Sequence, residues 1–141
     1  MQDLYLNIEI KANEIYSTYI DQGLEHKYPF MGVGLQFTQF AMDEPELYRL
    51  LFMTKQGEQI DSIQAFLMND ENYQLILDAL KQSYQIADEE AKWLYKHSFV
   101  YVYGLATLYI TGLVSFHIED VYHMLNEMFT RWVRGVEDRR V

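Results

Sequence analysis

The sequence predicts an all-α fold of about seven helices. Three observations carry this. Apolar residues recur at spacings of three and four through nearly the whole chain. Two prolines and seven glycines are too few for a turn-rich β protein. Helix-start signals, prolines or runs of acids, fall where one apolar pattern ends and another begins. At 141 residues, half of them hydrophobic, the chain has one domain's length and enough apolar side chains for a sizeable core.

The first helix is expected over residues 3–21, with Leu4, Ile8, Ala12, Ile15 and Tyr19 on its apolar face and Gly23 as its end. Nothing caps its start at Met1. Pro29 opens the second helix, where a missing N–H costs nothing. Phe30, Val33, Gly34, Phe37, Phe40 and Ala41 then follow at helical spacing. Asp43, Glu44 and Pro45 stop that helix and start a third, buried through Leu47, Leu50 and Leu51 and broken by Gln56-Gly57. A short fourth helix is read from Ile60, Ile63 and Leu67. Asn69-Asp70-Glu71 begins a fifth, lined by Tyr73, Ile76, Leu77, Leu80 and Tyr84.

The sixth helix is expected over residues 89–112, after Asp88. Its second half enters the longest uncharged run, His97 to Ile118. A membrane span needs roughly 20 mostly apolar residues. This run instead carries Tyr101, Tyr103, Tyr109, two threonines, two serines, Gly104 and Gly112, a mixture that suits protein neighbours on both sides better than lipid. Ser115 is the expected cap of the last helix, residues 117–135. Its apolar stripe of Ile118, Val121, Tyr122, Leu125, Met128, Phe129, Trp132, Val133 and Val136 is unusually wide. Helices that bury more than one face in this way usually lie between subunits.

The composition excludes several chemistries. Without cysteine there are no disulfides, thiolate nucleophiles or Cys-type zinc sites, which fits a reducing compartment; with no secretory signal at the N-terminus, a cytoplasmic protein is expected. A formal charge of −10 repels phosphate backbones, so this chain is not expected to bind nucleic acid by itself. The cluster of Arg131, Arg134, Arg139 and Arg140 is read as a complement to the negative end of the last helix. No glycine-rich phosphate loop, nucleophile elbow or HExxH is present, so neither enzyme nor cofactor is expected. Glu119, Asp120 and His123 share a helical surface, as a weak metal site or as first-turn acids beside an exposed histidine. His97 is open to two readings, an interface or core histidine or a titrating switch. Phe37, Phe40, Phe52, Phe66, Tyr73, Tyr101, Met42, Met53 and Met68 lie on several helices, and sequence does not separate a hollow aromatic cluster from a filled one.

Two stretches carry a family resemblance. Residues 40–53, FAMDEPELYRLLFM, resemble the "FA…P-x-L-Y/F-x-L-L-F" segment in the C-terminal domains of TetR-family transcriptional regulators. Tyr103-Gly104-Leu105-Ala106-Thr107-Leu108, with Gly112 after it, resembles the family's "HG-x-A-x-L" segment, with Tyr103 where the family often has histidine. Order and separation match over residues 1–134. The resemblance implies an all-α TetR-like ligand-binding domain whose last two long helices pair with their symmetry mates in a four-helix dimer interface. It implies a homodimer that takes a small apolar or amphipathic effector and reaches operator DNA through a helix-turn-helix domain that this chain lacks. The uncapped start is what a cut before the connecting helix would leave.

On that basis Phe37, Phe40, Phe52, Phe66, Tyr73 and Tyr101 are the expected ligand-binding residues. Val100, Gly104, Thr107, Thr111, Leu125, Phe129 and Trp132 are the expected dimer interface. The competing reading is a free-standing helical dimerisation protein without DNA-binding activity. A third is a helical-bundle enzyme or metal carrier using Glu119, Asp120 and His123.

Overall fold

The computed structural model describes residues 2–140, without the side chains of Gln2, Glu137, Arg139 and Arg140. The start at Met1 and the basic side chains expected at Arg139 and Arg140 thus lie outside the described residues. All regular structure within them is helical: α1 (Gln2–Leu24), α2 (Pro29–Asp43), α3 (Pro45–Phe52), α4 (Ile63–Met68), α5 (Tyr73–Tyr84), α6 (Asp88–Ile110) and α7 (Ile118–Arg140). No helix among the described residues is long and apolar enough to cross a membrane.

α2 is the hub, packing against α1, α3, α5, α6 and α7. It carries no charge until Asp43, and Phe30, Met31, Phe37, Phe40 and Ala41 are all buried. Thr38 is buried as well, and its hydroxyl donates to the Gly34 carbonyl one turn back. Pro29 stands at the helix start as expected, after Tyr28 in an extended conformation.

Glycines set how closely the neighbours approach. A Cβ on Gly23 of α1 would lie 2.6 Å from the Gly32 carbonyl oxygen of α2, and one on Gly32 would collide with the Gly23 carbonyl. The two backbones therefore touch directly. Gly23 does not end α1, because its missing side chain serves this crossing instead of a turn. A Cβ on Gly34 would lie 2.8 Å from a Leu125 methyl, so α7 seats against α2 at that point.

Four other expectations need correction. The buried stripe of α1 is Ala12, Tyr16 and Ile20, whereas Leu4 and Ile8 are exposed. Both sets fit a helical period, and only the position of α2 chooses between them. α3 ends at Phe52, ahead of Gln56-Gly57, because the Thr54 hydroxyl donates to the Arg49 carbonyl and the Gln56 amide to the Leu50 carbonyl. α6 stops at Ile110, where the Thr111 hydroxyl donates back to the Thr107 carbonyl and Gly112 turns the chain at φ 75°. α7 begins after His117, not Ser115, because the Asp120 carboxylate accepts the His117 N–H at 2.8 Å, the return half of a capping box.

Candidate functional site

An open cleft of about 800 Å³ lies between the middle of α1, the end of α3, the connection 53–62, α4 and one face of α6. Its aromatic wall is continuous. Phe52 meets Tyr16 at 5.1 Å between ring centroids and Phe99 at 6.4 Å, and Phe99 meets Phe66 at 5.7 Å and Tyr103 at 5.8 Å. Its rim is polar, with Glu9, Glu58, Asp61 and Asp70 facing a single cation, Lys55.

Hydrogen bonds hold this frame. The Tyr103 hydroxyl donates to the Phe52 carbonyl at 3.0 Å. Tyr48 of α3 meets the Thr107 hydroxyl at 3.3 Å. Arg49 reaches from α3 to the Ile110 carbonyl at 3.1 Å, placing a cation at the negative end of α6. Across the cleft, Tyr16 donates to Asp70 at 3.0 Å. The other Asp70 oxygen accepts both the backbone and side-chain N–H groups of Asn72. Burial, and then the Asp70 carboxylate, push the Tyr16 hydroxyl well above its ordinary range.

Behind this wall is a small apolar cavity of about 50 Å³, lined on α2 and α6 by Phe30, Phe37, Ser98 and Val102. Tyr16 and Phe99 line both spaces and so form the partition between them. The Ser98 hydroxyl is buried without a hydrogen-bond partner among the described residues.

The expected ligand residues divide. Phe52 and Phe66 line the cleft, and Phe37 lines the inner cavity. Phe40 is fully buried against Tyr16 and Tyr19 and borders neither space. Tyr73 accepts a hydrogen bond from Gln64 and borders a separate depression. Tyr101 is on the other side of α6, raised in pKa by burial and by Glu127 of α7. Tyr16, Phe99 and Tyr103 were not expected. Phe99 and Tyr103 stand four apart, a spacing that marks one helical face, but which face of α6 meets α3 is a tertiary fact.

Beside the cleft wall, which Val100 also lines, runs an exposed and uncharged stripe of α6. Trp93, His97, Val100, Gly104, Leu108 and Thr111 follow one another at spacings of three and four, and Val100 is 50 % exposed. His97 is stacked on Trp93 at 4.3 Å. A Cβ on Gly104 would meet nothing within 4 Å.

Gly104 and Thr111 thus keep a free surface, and Val100, although half exposed, lines the cleft. The other expected interface residues face inward. Thr107 bonds Tyr48. Leu125 is 1 % exposed. Phe129 packs on Phe30 and Tyr84, and Trp132 on Tyr84. The stripe on α7 is wide because α2 and α5 occupy its inner part. Glu119, Asp120 and His123 make no metal site: among the described residues no group of three His, Asp or Glu side chains is arranged to hold an ion.

The chain matches no protein-family model, and neither curated proteins nor solved structures give a significant match.

Proposed function

We propose that this chain is the ligand-sensing and dimerisation domain of a TetR-like transcriptional regulator. In this reading it binds a small apolar or amphipathic effector and catalyses nothing. It pairs as a homodimer, and DNA is contacted by separate helix-turn-helix domains whose spacing the effector alters. One observation carries the proposal: α6 lines the cleft with Phe99, Val100 and Tyr103 and presents beside it an uncharged exposed stripe through Gly104, Leu108 and Thr111. A ligand against the cleft wall bears on the same rigid helix that a second copy would grip by the stripe. For a chain of formal charge −10, a face without carboxylates is also where two copies meet with least repulsion. Coupling then needs only that the ligand prefer one tilt of α6 over another.

Leu108→Glu and Gly104→Leu test this by light scattering. The parent chain is expected to be a dimer. Both variants are expected to keep their helicity and to dissociate at least about tenfold more readily, since each spoils a face that is open within one subunit. A monomeric parent, or variants that remain equally tight dimers, defeats the assignment.

A further inference from the structure

We infer that the cleft takes an amphipathic organic cation, with its positive head toward Glu58 and Asp61 and its apolar body against Phe52, Phe66 and Phe99. This deepens the sensing role proposed above and rests on it. Two independent features of the cleft converge on this class. The wall supplies aromatic faces, which attract a cation through their negative quadrupole and accept an apolar chain equally well.

The rim supplies the sign. Of its four carboxylates, Asp70 is occupied by Tyr16 and Asn72, while Glu9, Glu58 and Asp61 make no ion pair or side-chain hydrogen bond among the described residues. Lys55 alone opposes them. An anionic ligand would enter against these carboxylates and against the chain's overall charge of −10. A polar neutral head could donate hydrogen bonds to these carboxylates but would lack the net charge attraction. A diffuse quaternary ammonium gains from both wall and rim at small desolvation cost.

The test compares three probes with one chain length, each below its micelle concentration: decyltrimethylammonium, decyl sulfate and decyl maltoside. Binding is followed by titration calorimetry on the intact chain. The cation is expected to bind roughly tenfold tighter than the sulfate, and added salt should narrow that gap. Glu58→Gln combined with Asp61→Asn changes exposed side chains and spares the core. This double substitution should remove most of the preference, while Phe66→Ala should weaken all three probes.

Sulfate binding as tightly as the cation overturns the inference, as does a preference that survives the double substitution. If the maltoside alone binds and Phe66→Ala weakens it, the cation assignment falls and the sensing role stands. If no probe binds, both fall.

Discussion

Two helices of this protein are uncharged over long stretches, and the fold treats them differently. Between Pro29 and Met42, α2 is enclosed by five other helices of the same chain. From His97 to Ile110, α6 is enclosed on one side only, and Gly104 and Leu108 remain exposed on the other. Lack of charge reports that a helix is to be covered, without reporting by what. The glycines draw the distinction more sharply. Gly32 is a point of backbone contact within the subunit, and Gly104 faces open space.

The largest effect should come from placing the same side chain at both glycines. Gly32→Val drives a branched side chain into the Gly23 carbonyl and should cost about 3 kcal/mol or more of unfolding free energy, measured by denaturant titration. Gly104→Val should change the fold's stability by no more than about 0.5 kcal/mol and show itself in self-association. Equal losses at both positions would erase the distinction between the helices.

Alkaline titration probes the packing around α2 together with Tyr95 and Tyr101 of α6, which burial also raises. Tyr16, Tyr19 and Tyr48 pack on Phe37 or Phe40, and the Tyr84 hydroxyl accepts the Phe30 N–H. Burial is the leading cause that raises all four; Tyr19 and Tyr84 are pushed up to about 12 from an ordinary 10.0. A phenol raised in the folded state stays neutral there while its unfolded counterpart ionises. Its stabilising contribution is therefore complete below pH 10 and is lost as pH rises toward the folded value. The denaturation midpoint should hold steady to about pH 9.5 and fall between about 10 and 12. Tyr16→Phe should make that fall shallower, and a midpoint flat across the window would contradict the burial.

A small gain in stability is expected outside both helices. Gln85 closes α5 in the left-handed region at φ 51°. Gln85→Gly should add about 0.5–1 kcal/mol of stability by relieving that conformation, leaving self-association unaltered. A loss of stability would show that the Gln85 side chain contributes more than its backbone costs.

Helix starts marked by local chemistry were legible in the sequence. Pro29, Pro45 and the acids from Asp88 stand where expected because each acts on its own first turn. The cap of α7 was displaced by two residues, from Ser115 to His117, although Asp120, three positions after His117, is a readable capping signal. Orientation was far less legible. On α6, Phe99 and Tyr101 are both large aromatics two positions apart, yet only Phe99 reaches the cleft. On α7, Leu125 and Phe129 read as a partner's contacts and prove to be this subunit's own packing. Periodicity defines a stripe, and only the neighbouring helix determines what the stripe meets.

The touching glycines of α1 and α2 also bear on the order of folding. They stand nine positions apart, whereas the ties from Tyr48 to Thr107 and from Arg49 to Ile110 span 59 and 61. Closing the longer loops costs about 1.7 kcal/mol more chain entropy than closing the short one. The α1–α2 hairpin is thus cheaper for the unfolded chain to close than either tie from α3 to α6, and Tyr19→Leu, which removes a ring packed on Phe40 of α2, should slow refolding more than it speeds unfolding. The partition around Tyr16 and Phe99 closes only when α6 docks onto that hairpin, which makes the cleft a late feature of the folding trajectory.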